Sequence, residues 1–453
     1  MLFSNPDARP LYAAAPQDAA LPVDSHWQAV AGPMRNRVEP LEGERAVDVA
    51  VVGAGFTGLW AALTLAREHG REVCVLDAGP PGSGASGRNG GFCSYGATKL
   101  SYAALAGRYG EAEARRFAAA QREAVDTVAA FLDAEGISAG RHSDGELMLA
   151  HRPSRIAELE ADAREFARYG DLSCTLLDKA DLVRRGADGP RFFAGLHVPR
   201  CFALNPLIYV RALADRCIDS GVRVHAPARV VEWRSEAGGH RLTTAAGAVR
   251  ARQVVFAMNG YGGETLSAWL TGRTLPVMSA ILVTRPLSRA EQERQGWTCD
   301  SMAFDTPNLL HYFRKLPDGR FMFGGRGGIS SSPGGITATM RRLRLRFEAM
   351  FPEWRGVETE RQWYGYVCMA RDLVPYCGPV PGAPGAFTSL CYHGNGVAMT
   401  SFAGRALAGL VAGAPAESVP AAMRGPLRRF PFPALRLAYL RAAYGWYGLK
   451  DRF

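Results

Sequence analysis

The sequence predicts an α/β protein of two interleaved domains, and three observations carry that prediction. An apolar run, Val47–Val52, enters the turn Gly53-Ala54-Gly55-Phe56-Thr57-Gly58 and continues into the helical stretch Leu59–Ala66, after which a second apolar run ends at Asp77. Buried-type strand runs return far downstream, at 222–225 and 252–260. Between about Leu275 and Gly365 the pattern instead alternates and is rich in hairpin signals, as in an antiparallel sheet. Together these give a Rossmann-like dinucleotide-binding domain and a discontinuous second α+β domain built on an antiparallel sheet.

The first segment is the most informative. Gly53 permits a tight turn, Gly55 lets backbone approach a pyrophosphate, and Gly58 lets the helix pack close to the strand. The diphosphate then meets the helix N-terminus, where unpaired N–H groups and the helix dipole favour an anion. Asp77, at the end of the next strand, is placed to accept hydrogen bonds from a ribose diol. Glycine-rich turns are common, but strand, turn, helix and terminal acid in this order are the context that identifies the motif. A nicotinamide and a flavin dinucleotide both satisfy it.

The stretch Asp77-Ala78-Gly79-Pro80-Pro81-Gly82-Ser83-Gly84-Ala85-Ser86-Gly87-Arg88-Asn89-Gly90-Gly91 has too much glycine for a side-chain core and reads as a backbone-lined surface. Here the sequence resembles the FAD-dependent amine oxidoreductases that include the D-amino-acid, glycine and sarcosine oxidases (the DAO family). The resemblance is closest to the gamma-glutamylputrescine-oxidase-like branch, whose members also carry Gly-Ala-Gly-Phe-Thr-Gly-Leu and Ala-Ser-Gly-Arg-Asn-Gly-Gly. In that family this segment, here including Ala78, Gly84, Ala85, Ser86, Arg88, Asn89, Gly90 and Gly91, wraps the flavin ring.

Composition sets the outer bounds. A chain of 453 residues, 47% apolar and 21% charged, is an ordinary globular protein with room for two cores. No apolar run is long enough for a bilayer, and the N-terminus does not read as a secretory signal. Nine cysteines without a Cys-x-x-Cys pair predict reduced thiols in the cytoplasm and neither a disulfide framework nor a metal site. The net charge of +10 is carried almost wholly by scattered arginines, with lysine only at Lys99, Lys179, Lys315 and Lys450, so no nucleic-acid footprint is read from it.

In order, residues 1–46 form a proline-rich arm, which the resemblance lays over the body and which could equally be disordered. The FAD-binding domain spans 47–140, 205–270 and 366–425, and the substrate domain 141–204 and 271–365. Tyr102–Leu132 reads as one or two amphipathic helices, 145–150 as a strand, Arg152–Tyr169 as a charged helix and Pro206–Ser220 as a helix. The run Ala228–Trp233 reads as a strand, where the resemblance implies a backbone contact to adenine at Val230. The strand 252–258 runs into Asn259-Gly260 beside the first glycine turn. A hairpin over Asn308–Gly325 puts His311 and Phe313 on one face and Tyr312 and Arg314 on the other.

Arg326, just past that hairpin, is a candidate for gripping a substrate carboxylate, or else a solvated charge. The strand 363–375 matches the family's return strand, in which some relatives attach the flavin to a cysteine. That position is Gly365 here, so a non-covalent FAD is expected. Cys391–Thr400 carries His393-Gly394-Asn395-Gly396-Val397-Ala398 ahead of a helix, again placing N–H groups where charge gathers on a reduced flavin. Three such segments favour resident FAD over NAD, as does the lack of a second Gly-x-Gly-x-x-Gly.

The expected chemistry is oxidation of a C–N bond in a primary or secondary amine or amino acid. A free-base amine is held with its α C–H over flavin N5, hydride is transferred, and the imine hydrolyses. Tyr312, Tyr366 and His393 are the expected pocket residues, with His311 and Arg326 behind them. Sarcosine-oxidase-like relatives use a lysine after the final glycine motif to promote reaction with O2, and that position is Ala398. The expected acceptor is O2, and the missing lysine makes a quinone or electron carrier the alternative. A flavoprotein subunit without turnover is a further reading. The basic, aromatic tail 426–453 either lies on an anionic membrane or covers the body.

Overall fold

The computed structural model describes Phe3, Leu11, residues 23–262 and residues 264–451. The rest of the expected arm up to residue 22, and Arg452 and Phe453 of the tail, lie outside the described residues. The strand Gly43–Val52 is the centre of a mostly parallel sheet whose order is Tyr376–Pro379, Ala386–Leu390, Gly247–Phe256, Gly43–Val52, Val73–Leu76 and Arg223–His225. Alternation along the central strand sets the layers. Val49 and Val51 pack on the helices Phe56–His69, Glu111–Ala134, Pro206–Asp219 and Gly396–Val411. Ala50 and Val52 face a second layer centred on Trp233 and Leu242, from the hairpin Glu232–Glu236 and Gly239–Thr243.

The second sheet has eight strands in the order Thr359–Ala370, Thr274–Thr284, Phe321–Gly328, His311–Lys315, Met302–Asp305, Glu146–Ala150, Ala194–Val198 and Thr175–Leu177. Every pairing in it is antiparallel except Met302–Asp305 with Glu146–Ala150, which is parallel because the long excursion through 151–301 separates them. Its outer face packs Phe313, Phe321 and Phe323 against Phe347 and Met340 of the helix Pro333–Met350. The strand Thr359–Ala370 stays in this sheet five residues past the expected boundary at 365, because it pairs along its length with Thr274–Thr284.

Two local expectations change. The run from Ala228 is not strand until Glu232. There the backbone N–H of Ala228 donates to Asp77 O, tying the segment across the ends of the parallel strands instead of extending a ladder. The charged helix is Ile156–Gly170, preceded by a 3-10 turn Pro153–Arg155 that the proline opens.

The tail folds back on the body. The helix Arg436–Lys450 sets Leu437 and Leu440 against Leu275 and Val277, and the buried Arg436 guanidinium pairs with Glu264. Asp451 accepts from the backbone N–H groups of Asn308 and Leu309. The described residues contain no helix long and apolar enough to cross a membrane.

Candidate active site

One cavity of about 990 Å³ opens along the strand ends of the parallel sheet and continues beneath the inner face of the second sheet. Its first part is made largely of backbone. Gly53 has φ 113°, and a Cβ there would stand 2.8 Å from Ala257 O. A Cβ on Gly58 would stand 2.0 Å from Gly53 O, so only glycine lets this helix approach its strand. The helix Phe56–His69 starts at Gly55 with no side-chain cap, and its first turn lines the cavity. An uncapped N-terminus facing a cavity offers N–H groups to an anion.

Asp77 closes this end. Its carboxylate accepts from Ala54 N–H at 2.5 Å and Gly79 N–H at 3.0 Å. Burial pushes the carboxyl up, and the N–H groups of Gly79, Ala54 and Ala78 pull against that shift. The glycine-rich segment is pinned over the turn: Ser86 Oγ accepts from Phe56 N–H at 3.0 Å. The Asn89 side chain spans Ala85 O, Ser86 O and Gly91 N–H, and Trp363 Nε1 donates to Arg88 O. Asn259, at φ 48°, accepts from Cys391 N–H and so joins the Gly247–Phe256 strand end to the last glycine turn.

Most of the sequence-derived cofactor residues line the cavity: Gly53, Gly55, Phe56, Thr57, Asp77, Ala78, Gly84, Ala85, Ser86, Arg88, Asn89, Gly90, Val230, Asn259, Gly365, His393, Gly394, Asn395, Gly396 and Val397. Ala54, Gly58, Gly91, Gly260 and Ala398 stand behind that wall. Gly58 supplies helix–strand packing, Gly91 packs on Leu204 O, Gly260 packs on Cys368 and Pro276, and Ala398 is buried in the helix Gly396–Val411. At Gly365 a Cβ would stand 3.0 Å from the Tyr261 hydroxyl and 3.3 Å from Arg88 Cβ, leaving little room for a side chain. Cys368 turns into a buried cluster, its sulfur 3.4 Å from that of Cys391.

Among the expected pocket residues, Tyr312, Tyr366, His393 and Arg326 line the cavity together, and His311 does not. His311 lies on the outer face of its strand, stacked on Phe323 with Nδ1 on the Asp305 carboxylate at 2.8 Å. The period-two reading separated the two faces correctly in space. The inner one carries Tyr312, because Phe313 and its neighbours are claimed by the helix Pro333–Met350.

Tyr312 shares a hydrogen bond with Ser279 Oγ at 3.0 Å, and burial pushes its phenol up to about 12. The His393 ring is locked: Nε2 accepts from Ala370 N–H at 3.2 Å, which leaves Nδ1 as the donor to Ala97 O at 3.3 Å. Burial, and then Lys99, push this imidazole down to about 3. With this shift the ring is neutral at neutral pH, and both of its nitrogens are engaged. Arg326 donates to His393 O at 3.0 Å, and burial lowers its pKa.

Several residues of the site carry no sequence signature. Lys99 and Glu146 line the cavity, Glu146 buried and Lys99 with an exposed side chain. Desolvation by the protein around it, followed by the Arg326 charge, pushes the Lys99 ammonium down to about 7. Burial pushes the Glu146 carboxyl up to about 8. Arg314, 1% exposed, donates to Gly90 O and Leu204 O at 3.0 and 2.7 Å, and its Nη1 lies 2.6 Å from His142 Nε2. It holds the glycine loop from the second sheet. Tyr447 of the C-terminal helix reaches the far wall.

A glycine cradle, an uncapped helix N-terminus and an acid at the strand end fit a dinucleotide. Bound there, FAD supplies the two-electron acceptor.

Comparison with known proteins agrees. The family model described as FAD dependent oxidoreductase (DAO) matches residues 48–410. The probable oxidoreductase OrdL of Rhizobium meliloti (strain 1021) is 30% identical over 438 residues, covering 94% of this chain and 97% of that protein. The gamma-glutamylputrescine oxidoreductase of Escherichia coli (strain K12) is 30% identical over 410 residues, 89% of this chain and 93% of that protein. Among solved structures, the glycine oxidase from Geobacillus kaustophilus superposes with a TM-score of 0.70 at 21% identity, covering 85% of this chain and 99% of that one.

Proposed function

The chain belongs to the DAO family of FAD-dependent oxidoreductases, acting on amine or amino-acid C–N donors, and on that premise we propose that it oxidises a primary or secondary amine by hydride transfer to non-covalent FAD, with O2 as the acceptor. One observation carries the reading: three glycine-rich segments far apart in sequence meet at one cavity, whose continuation holds Tyr312, Tyr366 and Arg326. The residues of this chain then have limited tasks. Tyr312 and Tyr366 form a wall that confines the reacting carbon in a near-attack position. Arg326, anchored on His393 O, carries positive charge beside the last glycine turn, where negative charge develops on reduction. His393 joins the segments at Ala97 and Ala370 and moves no proton. Burial of the pocket keeps water away until the imine forms and is hydrolysed.

The test is anaerobic mixing of the holoprotein with a panel of primary and secondary amines, followed by readmission of air. The proposal expects at least one amine to bleach the flavin absorbance and air to restore it. If no amine bleaches it, the amine-oxidase reading falls.

A second reading, a dehydrogenase passing electrons to a membrane quinone, is favoured by the outer face of the C-terminal helix. There Trp446 and Leu449 are exposed, as is Leu435 just before the helix, with Arg441 and Lys450 on the same helix. An apolar and basic face of this kind suits an anionic lipid surface. Slow reoxidation by air together with fast reoxidation by a soluble quinone would select it.

A further inference from the structure

Beyond the residues assigned above, the cavity continues as an arm between the segment 98–102, the strand Glu146–Ala150 and the helix Ile156–Gly170. This arm carries charged side chains of both signs, and two of them, Lys99 and Asp162, have no ion-pair partner among the described residues.

On one wall Lys99 presents an exposed side chain to the cavity, and its ammonium makes no hydrogen bond or ion pair among the described residues. Glu146 stands in the same wall, but no ion pair joins the two, and Ser94 holds its carboxyl. Arg326 adds a second cation and, among the described residues, makes one hydrogen bond, to His393 O. Both cations act on His393, so this is the cofactor end of the arm.

On the other wall, Glu158, Asp162 and Glu165 occupy positions i, i+4 and i+7 of one helix, hence one face, and all three line the cavity. Two of them are engaged. Glu158 pairs with Arg155, and Glu165 accepts from Tyr102 N–H at 2.6 Å and Ala103 N–H at 3.3 Å. Asp162 has no such partner among the described residues. Burial pushes its carboxyl up, followed by repulsion from Glu165 and Glu158, to about 6.

A charged side chain that faces a cavity without an ion-pair partner is available to pair with a charge on a ligand. Here an unpaired ammonium and an unpaired carboxylate face the same arm. The ligand that answers both is itself dipolar.

We propose that the substrate carries, besides its reacting nitrogen, a carboxylate held by Lys99 with Arg326 at the cofactor end and a cationic group, ammonium or guanidinium, held by Asp162 at the far end. This deepens the amine-oxidation reading and rests on it. The field of Lys99 and Arg326 disfavours a second positive charge near the reacting nitrogen, so that nitrogen is held as the free base. The same field drives the distal cation toward the acidic helix face and fixes the direction in which the molecule enters.

Three probes differ by one charge each: racemic lysine carries both groups, 1,5-diaminopentane lacks the carboxylate, and racemic 2-aminohexanoate lacks the distal cation. Calorimetric binding to the holoprotein without oxygen, with flavin absorbance read in parallel, separates affinity from turnover. Lysine is expected to bind on the order of tenfold or more tightly than either single-charge probe. Lys99→Met should abolish the preference for lysine over diaminopentane and leave its preference over 2-aminohexanoate. Asp162→Asn should do the reverse. Lys99→Arg should keep the carboxylate preference, which guards against a general packing effect at residue 99.

Equal binding of the three probes, no binding by lysine, or equal weakening of all three in both variants would overturn the proposal. Charge-dependent binding without bleaching would instead sink the oxidation reading and leave the subsite standing. Bleaching by amines without charge dependence would do the opposite.

Discussion

The two ends of the cavity are built from different chemistry. At the cofactor end the wall is mainly backbone, with glycines at close approaches, an uncapped helix and one acid at a strand end. In the arm the wall is side chains, with Lys99, Glu146 and Asp162 brought together from a loop, a strand and a helix. At the first end an added atom on Gly53 or Gly58 would meet backbone at 2.8 or 2.0 Å, whereas the second end is lined by charged side chains. A protein made this way can keep one cofactor site while its substrate end varies.

Substitutions that separate the two ends test this contrast. The largest effect is expected at Gly58→Val, because even a Cβ meets Gly53 O at 2.0 Å. The purified variant should hold less than about a tenth of the wild-type flavin absorbance per protein, since overpacking here pushes the helix off its strand. Lys99→Met and Asp162→Asn should retain the full flavin complement. Loss of flavin in those two variants would erase the distinction between the ends.

Arg314→Met comes next. It removes the donor from the buried carbonyls of Gly90 and Leu204 and from the His142 ring. Each orphaned acceptor costs about 1–3 kcal/mol, so urea unfolding should show a loss of about 3 kcal/mol or more, with weaker FAD retention. A loss below about 1 kcal/mol would show that the second sheet does not hold the glycine loop.

Acid should also lower stability. His393 has its folded pKa pushed from 6.5 down to about 3, so the unfolded chain takes up a proton first as pH falls. The stability tied to its neutral ring is complete above pH 6.5 and is lost as pH drops from there toward 3. Urea titrations at stepped pH should show this decline, and a variant His393→Gln should show a shallower one. An unchanged slope would contradict the locked neutral ring.

The smallest change is expected at Tyr312→Phe, which removes one hydrogen bond to Ser279. It should lower kcat/KM by less than about tenfold, an effect near 1 kcal/mol, with flavin content unchanged. A loss of several orders of magnitude would give that hydroxyl a direct part in the chemistry.

The contrast also governs what the sequence could reveal. Gly53, Gly55, Gly58 and Asp77 were legible because only these residue types, in this order, make a strand–turn–helix that accepts a diphosphate. Period two separated His311 from Tyr312 but could not say which of them faces inward. That depends on the helix Pro333–Met350, which arrives later in the chain and covers Phe313. Arg314 reads as an ordinary strand arginine, since its targets are backbone carbonyls of distant segments.

The arm left weaker traces. Lys99 is one of four lysines in a chain whose other basic residues are all arginine, and it follows the glycine-rich run by only eight residues. The spacing Glu158, Asp162, Glu165 marks a single helix face. Neither trace identifies a site until the fold places both on one cavity.

The most direct test of the central claim, that three glycine-rich segments converge on a resident, non-covalent flavin, is the visible spectrum of the purified protein before and after acid precipitation. The account predicts a yellow protein whose chromophore passes into the supernatant as FAD. A colourless protein that takes up no FAD on reconstitution, or a flavin that stays in the pellet, would contradict it.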